Sequence, residues 1–134
     1  MKTTADLVKS WIRKADSDLA NAALCIASGT SLDTACFHTQ QASEKLIKAY
    51  LIAFSLPVPL IHNLEKLIDH CEQQDAAFSG IKTLGTALTP YAVQLRYDED
   101  FWPTAGEALA ALQAAKAIRA FIVPRLPAAM QPHT

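Results

Sequence analysis

The sequence predicts an all-α fold, an antiparallel four-helix up-and-down bundle with a short additional helix, five helices in total. Apolar residues make up 51% of the chain, much of it Ala and Leu, while runs of Val, Ile and Thr alternating with polar residues are nearly absent, which favours helix over strand. Those apolar residues recur at three- and four-residue intervals through four long segments, each the signature of one helix face turned to a core. Short connections separate the segments, so successive helices should run antiparallel and bury their stripes together. A chain of 134 residues is the size of one domain. The expected division is a bundle over residues 1–126 and a flexible C-terminal tail over 127–134.

In the first segment Leu7, Trp11, Ala15, Leu19, Ala22 and Ile26 share a stripe, Thr3 or Thr4 is available as N-cap and Gly29 as a stop, which predicts a helix over about residues 6–28. The second helix begins near Ser31 or Asp33 and ends near Ser55, because Pro57 and Pro59 cannot donate a helical bond and disfavour helix before them. Asn63 caps a short third helix whose Leu64, Leu67, Ile68 and Cys71 face one way. Ile81, Leu84, Leu88, Ala92 and Leu95 carry a fourth helix towards Arg96, with Pro90 kinking it or starting a new turn capped by Thr89. Thr104 and Glu107 form a capping box for the last helix, which Leu109, Leu112, Ala115, Ile118 and Ile122 carry to Pro124. Trp11, Leu19, Phe37, Leu46, Tyr50, Leu88 and Leu112 are the large side chains expected in the core.

Twelve Lys and Arg against thirteen Asp and Glu leave a formal net charge of -1, so no overall positive field draws the chain to DNA or an anionic membrane, and any anion site must be local. No apolar run approaches the length of a membrane span and no secretory leader is legible, which gives the expectation of a cytoplasmic protein. Cys25, Cys36 and Cys71 are odd in number and far apart, the pattern of reduced, buried thiols. Cys36 with His38 and Cys71 with His70 are metal pairs only superficially, lacking third and fourth ligands, and neither a metal nor another cofactor is expected.

The stretch C-F-H-T-Q-Q-A-S-E-K-L-I-K-A over residues 36–49 uses its polar residues unusually. On a helix His38, Gln41 and Lys45 stand above one another beside a separate apolar stripe of Ala42, Leu46, Ala49 and Ala53. An imidazole, a carboxamide and an ammonium in a row suit a phosphate or nucleotide; the plainer reading is a solvated polar face, with His38 bonded to a neighbouring helix. Glu44 and Lys48 read as an ordinary i, i+4 pair. Arg96 can grip a phosphate with its planar fork and Tyr97 can stack on a base, although Arg96 could equally neutralise the acidic run Asp98, Glu99, Asp100. His62 reads as a neighbour of the Asn63 cap or as a groove residue.

In this order, Trp11 with Ala15, Asp18 and Leu19, the 36–49 block, His62 with Leu64 and Leu67, and Tyr91 with Arg96 and Tyr97 make the chain resemble the HEPN family, helical domains named for nucleotide binding in higher eukaryotes and prokaryotes. The resemblance covers nearly the whole chain and implies the same bundle. It also implies one of two activities: ribonucleases, often toxins of toxin-antitoxin pairs, or non-catalytic modules that bind a nucleotide or dock beside a minimal nucleotidyltransferase. The ribonucleases share an R-x(4-6)-H motif, in which Arg stabilises charge on the phosphorus while His moves protons. Here the positions that would hold His after Arg96 are Phe101, Trp102 and Pro103; after Arg13 they are Asp18, Leu19 and Ala20, and after Arg119 Pro124, Arg125 and Leu126. Arg125 and His133 miss by one residue.

The expectation is therefore a non-catalytic module with His38, Gln41, Lys45, Arg96 and Tyr97 as nucleotide- or phosphate-binding residues and no catalytic set. A metal-independent ribonuclease toxin using Arg96 with His38 or His62, and a purely structural partner-binding bundle, are the alternatives. Val8, Ile12 and Ala23 in the first helix and Ala108, Ala111, Phe121 and Val123 in the last lie beside the main stripes. Stripes that wide predict a homodimer pairing through those flanks.

Overall fold

The computed structural model describes residues 1–132, and all its regular structure is helical. In chain order the α-helices are α1 (Thr4–Ser28), α2 (Leu32–Ala53), α3 (Leu64–Glu72), α4 (Lys82–Leu88), α5 (Tyr91–Tyr97) and α6 (Ala105–Ile122), with a 3-10 turn over Ala76–Ile81 before α4 and two more after α6. His133, considered above with Arg125, lies outside the described residues.

Local chemistry sets several helix ends. At α1 the Thr3 hydroxyl accepts from the Asp6 N–H at 3.1 Å and the Asp6 carboxylate accepts from the Thr3 N–H at 3.0 Å, a reciprocal box that holds the Asp6 carboxyl below its ordinary range. Thr104 and Glu107 repeat it at α6. Gly29 ends α1 at φ 71°, in the left-handed region where a side chain would be strained. Asn63 caps α3 through the Lys66 N–H at 3.0 Å.

The predicted fourth helix is two. Pro90 divides it into α4 and α5, and Thr89 does not cap the second piece: its hydroxyl donates to the Gly85 carbonyl at 2.8 Å and accepts from the Leu64 N–H at 3.0 Å. Thus the end of α4 satisfies an orphan donor at the start of α3. The two helices also approach closely at Gly85, where a Cβ would come within 2.7 Å of Ile68 Cδ1 and 3.3 Å of Leu64 Cβ.

α2 is the axis of the bundle: α1, α3, α4, α5 and α6 all pack on it. Leu46, Ile47, Ala49 and Leu51 are fully buried there, and Tyr50 packs at a tilt on Phe78, which meets Phe121 edge-on, with ring centroids 4.5 and 5.0 Å apart. Burial pushes the Tyr50 phenol up to about 12, the Cys71 thiol to about 12 and the Cys36 thiol to about 11, so all three stay protonated near neutrality. After α6 the chain turns back; a 3-10 turn over Ala128–Met130 lies on α1, and Met130 packs against the core.

Of the expected core anchors, Leu19, Leu46, Tyr50, Leu88 and Leu112 are buried, whereas Trp11 and Phe37 are only half-buried. The inner face of the N-terminal half of α1 is turned by one residue from the expectation. Val8 and Ile12 enter the core, and Leu7 and Trp11 border solvent. Neighbouring apolar pairs offer two stripes, and packing on α2 selects the slimmer aliphatic one. Ala108 and Ala111 are likewise inside, and Phe121 is spent on Phe78. Four of the seven flank residues, Val8, Ile12, Ala108 and Ala111, are thus filled within one copy, while Ala23, Phe121 and Val123 stay half-buried.

Candidate functional site

Polar side chains of α2 fall into two separate networks. On the side facing α1, Asp18 is buried, and its two carboxylate oxygens take His38 Nδ1 at 2.8 Å and Lys45 Nζ at 2.5 Å. His38 and Lys45, one face in the sequence, thus stitch α2 to α1 and have their polar ends engaged. On the other side Glu44 is buried and accepts from Lys48 at 3.0 Å, from Gln40 at 3.1 Å and from His62 Nδ1 at 2.9 Å. Gln40 also donates to the His62 carbonyl at 3.1 Å and accepts from Gln41 at 2.7 Å. Burial pushes the Glu44 carboxyl upward, but the bonds from His62, Lys48 and Gln40 outweigh it and hold the group below its ordinary value.

This second network shapes a groove. The segment entering α3 is clamped to α2 through His62, leaving 69% of that imidazole side chain exposed, and α5 crosses α2 close by. Phe37, Gln41, His62, Ala92, Val93, Arg96 and Tyr97 enclose about 230 Å3 between them. Arg96 lies over the Phe37 ring, its guanidinium carbon 5.9 Å from the centroid. Among the described residues it forms no ion pair, so the neighbouring acidic run does not neutralise it by contact. Arg96 also borders a wider recess of about 550 Å3, but Asp98 and Glu99 line that side and repel an anion.

The structure therefore gathers Gln41, Arg96 and Tyr97 around one groove and adds His62 and Phe37, while His38 and Lys45 stand on the neighbouring face, held by Asp18. The partners that the sequence did not single out for the site are Asp18 and Gln40, and Glu44, which it read only as the i, i+4 partner of Lys48. Their signal was an acid within the Ala15, Leu19, Ala22 stripe of α1, and a Gln40, Glu44, Lys48 row at i, i+4 spacing on a helix buried on several sides. Glu44 and Lys48 are an inward pair rather than a solvated one. Among the described residues no three His, Cys, Asp or Glu side chains are placed to hold a metal ion, and no helix is long and apolar enough to cross a membrane.

The HEPN-domain family model matches residues 8–126, which takes in every helix that builds the groove. The chain belongs to the HEPN family. Its fold is shared with TT1696 from Thermus thermophilus, at a TM-score of 0.79 and 25% identity over 89% of this chain and 98% of that one. ST0689, described as an archaeal HEPN homologue, superimposes with a TM-score of 0.71 at 22% identity, covering 95% of this chain and 100% of its own. No curated protein matches it.

Proposed function

We propose that this HEPN domain is a non-catalytic module that binds a nucleotide in the groove between α2, α5 and the segment entering α3, either alone or while docked with a minimal nucleotidyltransferase. One observation carries the reading: Arg96, free of ion pairs among the described residues, shares a groove of about 230 Å3 with Phe37, Tyr97, Gln41 and His62. A guanidinium grips a phosphate with two parallel bonds, an aromatic face takes a base, and a carboxamide and an imidazole supply donors and acceptors at the edges. The missing R-x(4-6)-H spacing supports the non-catalytic side of the proposal.

Calorimetric titration with ATP tests it. Binding is expected to be weak, to weaken further with added salt, and to disappear in Arg96→Ala. No heat and no thermal shift at millimolar nucleotide, in wild type as in the variant, would remove nucleotide binding and leave partner docking.

One feature favours the ribonuclease alternative. His62 and Arg96 line the same groove, and Glu44 holds His62 Nδ1, which orients the other ring nitrogen outward. Purified protein incubated with RNA in chelator should leave it intact. Metal-independent cleavage that is lost in both Arg96→Ala and His62→Ala would replace the binding module with an enzyme.

A further inference from the structure

The polar groups of the groove have a fixed hydrogen-bond polarity, and it originates at a residue that does not line it. Glu44 is buried and its carboxyl is held below its ordinary value, so near neutrality both of its oxygens can only accept. Gln40 is fully buried. Its Nε2 donates to the Glu44 carboxylate at 3.1 Å and to the His62 carbonyl at 3.1 Å, two partners with no proton to give. Turning the Gln40 amide over would set its oxygen against two oxygens in a place closed to solvent, so its Oε1 has to face Gln41. Gln41 meets that oxygen with its nitrogen, donating at 2.7 Å.

His62 takes its polarity from the same carboxylate. Its Nδ1 lies 2.9 Å from Glu44, which places the proton on Nδ1, and a neutral ring then carries a bare acceptor at Nε2. Both side chains line the groove with Arg96. With its nitrogen turned to Gln40, Gln41 presents Oε1, to which nothing donates among the described residues. His62 presents Nε2 from a largely exposed ring. Two acceptors therefore stand where a base edge would lie.

We propose, building on the nucleotide-binding reading of this groove, that it selects a base with an exocyclic amine, adenine or cytosine, over an oxo base such as hypoxanthine or uracil. Gln40 and Glu44 are the positioning residues that impose the choice through Gln41 and His62. An amine has two N–H bonds and can donate to Gln41 Oε1 and His62 Nε2 together. The second N–H of Gln41 can donate to the ring nitrogen beside that amine. An oxo base reverses both groups: a carbonyl oxygen stands against the acceptors, and the ring nitrogen beside it already bears hydrogen. Its one ring N–H cannot serve two acceptors, so at least one polar group is left unpaired. Arg96 grips phosphate whatever the base, so affinity and selectivity come from different residues.

Calorimetric titration at about pH 8, where an imidazole is neutral, compares ATP with ITP and CTP with UTP. Each pair shares its phosphates and ring size and exchanges amine for oxygen. The amino nucleotide of each pair should bind about tenfold more tightly, and Arg96→Ala should abolish binding of all four. Gln41→Ala should reduce the ATP preference to about two- or threefold. Gln40→Met frees the Gln41 amide to turn over and should lower the same ratio, whereas a loss of packing alone would weaken ATP and ITP equally. Gln41 is half-buried at the end of the relay, so Gln41→Ala remains informative if Gln40→Met does not fold. Long-range proton–nitrogen NMR spectra should show the His62 proton on Nδ1. Equal affinities for ATP and ITP, both lost in Arg96→Ala, would overturn the selection and leave the groove a nucleotide site. No heat with any of the four would remove the nucleotide reading and the selection with it. A proton on Nε2, or an ATP preference unchanged in Gln41→Ala, would overturn the relay.

Discussion

Glu44 shows how much one buried carboxylate can organise. It receives hydrogen bonds from Lys48 in its own helix, from Gln40 one turn earlier and from His62 before α3. Removing its charge would leave the Lys48 ammonium buried beside a neutral amide. Glu44→Gln is expected to cost roughly 3 kcal/mol, seen as a fall in Tm on the order of 10 °C by calorimetry. The pH dependence has a definite sign. The folded carboxyl ionises below its ordinary value of 4.5, so it contributes stability in full above that value and loses the contribution as the pH falls through the lower folded value. Wild type should lose stability more steeply than Glu44→Gln between pH 4.5 and the acid end, and parallel profiles would show that the pair contributes nothing. Arg96 and Tyr97 are legible from sequence as candidates because they follow an apolar stripe and end a helix. Asp18 and Glu44 are not, because an acid on a helix is usually solvated and only the neighbouring helix decides otherwise.

At the scale of elements, α3 and α4 pack closely because Gly85 has no side chain. Gly85→Ala would gain about 1 kcal/mol of helix propensity, but the new methyl would lie 2.7 Å from Ile68 Cδ1 in a fully buried site. Overpacking of that kind costs about 1–3 kcal/mol, so the net expectation is a less stable protein. Ile68→Val deletes the colliding methyl, and Gly85→Ala should therefore be better tolerated in that background than alone; denaturant titration of the four members of the cycle measures the coupling. Helix ends are legible in the sequence because Thr3, Asn63, Thr104 and Gly29 act within a few residues of themselves. The inward face of α1 is not, since the adjacent pairs Leu7–Val8 and Trp11–Ile12 each offer an apolar side chain and the packing on α2 makes the selection. Pro90 is legible as a disruption. That it splits the helix, with Thr89 turned towards Leu64, depends on α3 lying alongside.

Over the whole molecule, distant parts of the chain close on α1. Arg119 of α6 grips Asp16 with two bonds of 2.6 and 3.0 Å, and residues 128–130 lie on the same helix with Met130 against the core. The ion pair is partly exposed, so Asp16→Asn should cost less than about 1 kcal/mol. Ending the chain after Leu126 removes the half-buried Met130 and should cost about 1 kcal/mol, with unfolding still a single transition in a calorimetric scan. The engagement of Asp18 with His38 and Lys45 has a further effect on the rate at which a charged ligand arrives. The carboxylate offsets cationic charge on that face, Glu44 does the same for Lys48, and Asp98 to Asp100 lie next to Arg96. From beyond a Debye length the groove presents no attracting field to an approaching anion. Capture is then not steered by charge, so added salt should not slow association and should weaken binding by shortening the residence time.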